Sequence, residues 1–248
     1  MVIGSNLTFL QAYFPSIAML WYGGGTWSIA NDIFFYLGFP LLLPLLRIRR
    51  RTTLFGLLVL CAIVGTIPGA LFNLFPGRVS FTFVYAFPLC RLMEFVAGII
   101  TSILVFRFQW RVANWVVLRA MGAAAFYLAY AGPLLHLQGF VVHNLVMIPI
   151  IALVLAAVSQ EKLGVAFAWL GKEPWVYLGK ISYCFYMVQI PLSILLDSLI
   201  ETGEFSKDRV ITIPVAFLVS LIGGALLHHL AEVPAHRRLM QLYRKEHA

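Results

Sequence analysis

The sequence predicts an all-α fold, a polytopic membrane helix bundle of about seven transmembrane helices. Three observations carry this. Of 248 residues, 61% are hydrophobic and only 11% charged, with a mean hydropathy of +0.90, whereas soluble domains run at about 45–50% apolar and about 25% charged. Seven apolar runs approach the length of about 20 residues that a bilayer core requires. Cationic residues also alternate between inter-run segments: 14 fall in one set and 3 in the other. That asymmetry is the signature of basic cytoplasmic loops.

The runs cover 28–46, 53–75, 86–106, 113–133, 140–159, 174–199 and 210–231. None alternates with period two, which argues against an outer-membrane barrel. In hydrocarbon every backbone polar group needs an internal partner, so each run is predicted to be helical. Residues 1–27 are interrupted by Gln11, Pro15 and Gly23-Gly24-Gly25. They lack the basic start of a signal peptide. This segment reads as an external loop or interfacial element anchored by Tyr13, Phe14, Trp21 and Tyr22. The triple glycine lacks the Lys and Ser/Thr of a phosphate loop and reads as a flexible turn.

The dense basic set comprises Arg47, Arg49, Arg50 and Arg51, then Arg107, Arg111 and Arg119, then Lys162, Lys172 and Lys180, then Arg237, Arg238, Arg244 and Lys245. The opposite set holds Arg78, Lys207 and Arg209, and Arg91 falls within a run. The positive-inside rule then predicts an external amino terminus and a cytoplasmic basic tail at 235–248. A single integral membrane domain is expected over 1–248. The net charge of +8 is explained by these loops, and nucleic acid is not an expected partner. The composition also excludes a soluble enzyme and a disordered chain. Three cysteines, Cys61, Cys90 and Cys184, lie in apolar runs as core residues rather than a disulfide framework.

Ionisable and polar residues inside spans are costly and mark candidate sites. Ser28, Asp32 and Tyr36 are spaced i, i+4, i+8 and share a helical face. Asp32 either complements a helix dipole or serves a site. Arg91 and Glu94, three apart, can pair, as a structural ion pair or as part of a reaction centre. Ser182, Tyr186, Gln189, Ser193 and Asp197 form one polar stripe, either bonding between helices or walling a cavity. At Glu232-Val233-Pro234 the proline is expected to stop the helix, and the acid to pair with Arg237 or Arg238. His136, His143, His228, His229, His236 and His247 read as structural or interfacial. None shows a metal-binding spacing with Cys or acids, and no metal is expected.

The same residues carry a family resemblance. Trp27-Ser28-Ile29-Ala30-Asn31-Asp32-Ile33-Phe34-Phe35-Tyr36, followed by Phe39-Pro40, resembles the WSLxxExxFYxxxP element of the acyltransferase 3 family. Arg91-Leu92-Met93-Glu94-Phe95-Val96-Ala97-Gly98 resembles its RLxEFxxG element. Leu178-Gly179-Lys180-Ile181-Ser182-Tyr183-Cys184-Phe185-Tyr186-Met187-Val188-Gln189 is similar to LGxISYxxYLxH, and Glu232-Val233-Pro234 to the closing ExP. Asp32 stands where Glu is usual, and Gln189 where His is common.

The resemblance implies a bacterial inner-membrane enzyme moving an acyl group, typically acetyl, from acyl-coenzyme A to a hydroxyl. Acceptors in the family include cell-surface glycans and some small molecules. Acyl-CoA is then a co-substrate rather than a bound cofactor. The implied wall or orienting residues are Asp32, Arg91 and Glu94. Those facing substrate are Ser28, Ser182, Tyr183, Tyr186 and Gln189. Glu232 and Pro234 are structural. The family core has ten spans, and its N-terminal part with the essential histidine has no match here. Seven spans correspond to its C-terminal part, so the chain is expected to be truncated, weakly active by itself, and completed by a separate N-terminal fragment. A secondary transporter or permease, and a non-catalytic remnant or partner subunit, are the alternatives.

Overall fold

The computed structural model describes residues 2–18, 20, 23–75, 77–131, 143–160, 168–203, 206 and 208–246. Trp21, Tyr22, His136, Lys162, Lys207 and His247 lie outside the described residues. Among those described, every regular element is helical. Among the described residues, five helices are long and apolar enough to cross a membrane: 25–45, 51–74, 81–106, 173–201 and 209–244. A shorter apolar helix spans Asn144–Val158. The chain divides into two compact units, Met1–Ala168 and Trp169–Ala248.

The first unit begins with α1 (Val2–Leu7) and a 3₁₀ turn at Gln11–Tyr13, and α2 follows over Gly23–Leu42. The triple glycine is therefore the opening turn of a helix, not a flexible turn. Polar bonds fix this start: Gln11 Nε2 donates to Thr26 Oγ1 at 2.9 Å, and Thr26 Oγ1 donates to Asn6 Oδ1 at 3.0 Å. Ala12 and Ala18 pack with Trp27, Ala30 and Ala86 in a small core. Residues 2–18 thus fold onto α2, and the helix takes in the end of the segment read as a loop.

After a 3₁₀ turn at Leu43–Arg47 comes α3 (Arg51–Leu74). The third apolar run forms α5 (Pro88–Phe106), and a short helix α4 (Phe81–Ala86) precedes it across a break at Phe87. Pro88 causes the break: its ring disfavours the helical region for the preceding residue, and Phe87 is extended at φ −70°, ψ 125°. Helix α6 (Asn114–Phe126) passes into a π turn at Tyr127–Ala131, and α7 is Asn144–Val158. Helix α3 packs on α5 and α7, α6 on α7, and α2 on α5. The main core joins Leu54, Leu58 and Cys61 of α3, Ile100 and Leu104 of α5, and Ile148 and Ala152 of α7.

Basic segments gather where α3 begins and α5 ends. Arg107 Nη1 donates to the Ile48 carbonyl at 3.4 Å, and Trp110 meets Phe55 edge-on with ring centroids 5.0 Å apart. The opposite pole holds the amino ends of α2, α5 and α7.

The second unit is a helical hairpin, α8 (Glu173–Glu201) against α9 (Arg209–Leu227). A π turn at His228–Glu232 leads into α10 (Val233–Glu246). Pro234 does not stop the helix, in contrast to the sequence expectation. It sits in the first turn of α10, where its missing N–H is needed least, and the π turn ahead of it absorbs the break. The two helices meet through glycine: a Cβ on Gly224 would lie 2.7 Å from Phe185 Cα. All three cysteines are buried and unbridged.

Candidate active site

At the pole of the first unit, three helix starts meet. Arg91 lies in the first turn of α5, with Glu94 one turn further. Their spacing turns both toward the same side, and Arg91 Nη1 lies 2.9 Å from Glu94 Oε1. Each aligned helix places partial positive charge at its amino end. The carboxylate therefore sits among cationic and dipolar partners.

Helix α7 supplies the next contact. Asn144, 4% exposed, donates from Nδ2 to Glu94 Oε1 at 2.9 Å and lies 3.0 Å from the Gly65 carbonyl. The space opposite it is tight: a Cβ on residue 65 would lie 3.2 Å from Met93 Cβ and 3.3 Å from Ile148 Cδ1, so these side chains would have to yield. His143 immediately precedes Asn144, and its Nδ1 lies 3.1 Å from the Tyr127 hydroxyl. The rings meet edge-on with centroids 5.4 Å apart.

These groups face one cavity of about 330 Å³. Arg91, Glu94, His143 and Asn144 form its polar part, and Ala97, Ile148 and Leu155 are among its apolar walls. A second cavity of about 230 Å³ shares Arg91 and Glu94 and is walled also by Trp27, Ser28, Asn31 and Asp32. The ion pair lines both spaces. Trp27 Nε1 and Asn31 Oδ1 border the second one, buried and without a hydrogen-bond partner among the described residues. Ser28 Oγ bonds back to the Gly25 carbonyl at 3.1 Å. Tyr36, on the same sequence stripe, is 70% exposed and lines neither space.

In the second unit, Gln189, Ser193 and Asp197 border a cavity of about 450 Å³ with Thr212 and Ser220. The stripe splits here: Ser182 is exposed and bonds within its own helix to the Gly179 carbonyl at 2.8 Å. Tyr183 is exposed and Tyr186 half-buried, and neither borders that cavity. Glu232 meets neither Arg237 nor Arg238 through any described ion pair. Its Oε2 instead accepts from Cys184 Sγ at 3.0 Å and lies 2.8 Å from His228 Nδ1. The proximity is local: His228 is four residues away on the same turn, whereas the arginines lie farther along α10.

A protein-family model described as an acyltransferase domain, acyltransferase 3, matches residues 3–229. The chain belongs to this family. No curated protein and no solved structure gave a match. The protein is thus a membrane acyltransferase in its domain type and helix content.

In this acyltransferase the four sequence elements assemble in pairs. The element at Trp27–Tyr36 packs against the one at Arg91–Gly98, with the Phe35 and Phe95 rings stacked at 4.8 Å. The element at Leu178–Gln189 joins the closing Glu232-Val233-Pro234 through the Cys184–Glu232 bond.

Two histidine expectations need correction. His143 is not merely interfacial: it lines the cavity with Arg91 and Glu94. His228 does share a cluster with a thiol and an acid. Tyr127, His143 and Asn144 were not site candidates from the sequence, since each lies within an apolar run without a recognisable spacing. The one available signal was Asn144, an amide near the start of an apolar run.

Proposed function

We propose that this acyltransferase moves an acyl group, of which acetyl is the simplest, from acyl-coenzyme A to a hydroxyl of a cell-surface glycan or a similar acceptor. The carrying observation is the single cavity that His143 shares with the Arg91–Glu94 pair. A hydroxyl attacking a thioester must lose a proton, and a positioned imidazole is the usual acceptor near neutral pH. Serving as base requires the tautomer in which His143 Nδ1–H donates to the Tyr127 oxygen. Nε2 then carries the lone pair.

The reaction balances on these groups. The acceptor oxygen attacks the thioester carbonyl as its proton passes to Nε2. The tetrahedral oxyanion collapses, the C–S bond breaks, and the coenzyme thiolate regains the proton from the imidazolium. Positive charge near a developing oxyanion is among the largest catalytic effects. Arg91 and the amino ends of α5 and α7 supply it. Asn144 and Glu94 hold Arg91 in place, and Asp32 and Ser28 wall the adjoining space.

The basic loops support a bacterial inner-membrane orientation with this pole facing outward, toward a glycan acceptor. His143 supplies an imidazole at this cavity. The test uses the full chain in membrane vesicles with labelled acetyl-CoA and a glycan acceptor. Acceptor-dependent release of coenzyme A, lost in His143→Gln, is expected. Release that persists unchanged in His143→Gln overturns the role of His143. Substrate flux across the vesicle without acyl transfer overturns the reading itself.

A further inference from the structure

We infer that Cys184, His228 and Glu232 form a binding site for a divalent cation of the zinc type. This site is built from the second unit alone and does not rest on the assignment of the acyl-transfer cavity. Cys184 Sγ, His228 Nδ1 and a Glu232 carboxylate oxygen all lie within 4.8 Å of one another. The two measured edges are 3.0 Å from sulfur to oxygen and 2.8 Å from nitrogen to oxygen. A tetrahedral zinc with ordinary bond lengths needs ligand–ligand edges of about 3.3–3.6 Å. Opening the triangle by about half an ångström at these two edges, with the third already within 4.8 Å, is within side-chain rotation.

The backbone favours the arrangement. His228 and Glu232 occupy one π turn, a rare conformation that tends to accompany function. Its wider turn brings residues four apart nearly into line. The third ligand comes from α8 across the hairpin, where close approach at Gly223 and Gly224 holds the helices together. Thiolate, imidazole and carboxylate together suit zinc rather than magnesium or calcium, which prefer oxygen alone. Cys184 is 3% exposed, whereas the side chain of Glu232 is 44% exposed. The site is therefore open on one side, leaving a fourth position for water or a further ligand. Binding releases the thiol proton to solvent and replaces the hydrogen bonds of Glu232 with bonds to the metal.

The test takes the full chain, purified in detergent without a polyhistidine tag. Equilibrium dialysis is expected to give about one Zn²⁺ per chain. Co²⁺ should produce the thiolate charge-transfer absorption of a four-coordinate site. Cys184→Ser, His228→Ala and Glu232→Gln should each weaken zinc binding by about tenfold or more, as expected where few ligands share the metal. A second readout needs no variant: Zn²⁺ should slow alkylation of Cys184, followed by mass spectrometry of its peptide, while Mg²⁺ should not. Absence of stoichiometric zinc, zinc retained in all three variants, or alkylation indifferent to Zn²⁺ would each overturn the site. It would then be a hydrogen-bonded cluster only.

Discussion

The Asn144 amide donates to the Glu94 carboxylate across 2.9 Å, tying the first residue of α7 to the second turn of α5. The same amide lies 3.0 Å from the Gly65 carbonyl, so one buried side chain bridges three helices. Replacing it by leucine of similar bulk removes both bonds and leaves the Glu94 carboxylate to Arg91 alone. A hydrogen bond to a charged group contributes about 1.5–3 kcal/mol. Asn144→Leu is therefore expected to lower thermal stability in detergent, read by the melting temperature. Gly65→Val should do so more severely, because the space beside residue 65 is already filled by Met93 and Ile148. A Gly65→Val variant melting like the parent would contradict this packing.

The Arg91–Glu94 pair separates stability from chemistry. Removing one member of a buried pair leaves an unbalanced charge and can cost about 3–5 kcal/mol, while replacing both by apolar residues is often neutral. These side chains are 15% and 30% exposed, so the loss here should fall toward the lower end. Arg91→Met is expected to be less stable than Arg91→Met/Glu94→Leu. Acyl transfer should be lost in both. If the double variant regained transfer along with stability, the pair would be scaffolding alone.

Base catalysis by His143 predicts a graded pair of variants. His143→Gln keeps a polar side chain but cannot cycle a proton, and transfer should fall by about 10²–10⁴-fold. Tyr127→Phe removes the partner that selects the tautomer and orients the ring. A smaller loss is expected, about tenfold in kcat, with KM nearly unchanged. The parent's rate should decline in acid as the imidazole takes up a proton, and this acid limb should be absent from the residual activity of His143→Gln. Equal pH profiles in the two proteins would exclude His143 as the base.

Sequence periodicity made the helices legible because hydrocarbon permits the backbone little else. It also paired Arg91 with Glu94, since residues three apart on a helix are neighbours by construction. The same logic failed at Glu232. Its expected partners lay in the following basic tail, yet the bond formed is to Cys184, 48 residues earlier. His143 was read as structural or interfacial for a related reason: Tyr127 is 16 residues away and Glu94 is farther still. Such contacts depend on which helices pack together, and an apolar run carries little information about its neighbours. The opening of α2 at Gly23 was hidden by glycine's poor helix propensity, which the polar bonds of Thr26 to Gln11 and Asn6 offset.

The hairpin of the second unit turns on one pair of adjacent glycines with unequal surroundings. Small residues let membrane helices approach closely and gain dispersion contacts. A Cβ on Gly224 would lie 2.7 Å from Phe185 Cα and 2.8 Å from its backbone nitrogen. Backbone cannot rotate aside, so the helices must separate. A Cβ on Gly223 meets Val188 Cγ1 at 2.8 Å, a side-chain atom that can turn away. Gly224→Ala is therefore expected to destabilise the unit by about 1–3 kcal/mol, the usual range for overpacking. Gly223→Ala should cost clearly less. Because α8 carries Cys184 and the π turn after α9 carries His228 and Glu232, separation at residue 224 should also pull the thiol from the carboxylate. Cys184 would then alkylate faster in Gly224→Ala than in Gly223→Ala. Matched melting temperatures and matched thiol reactivity in the two variants would show that the close contact at Gly224 does not hold the hairpin.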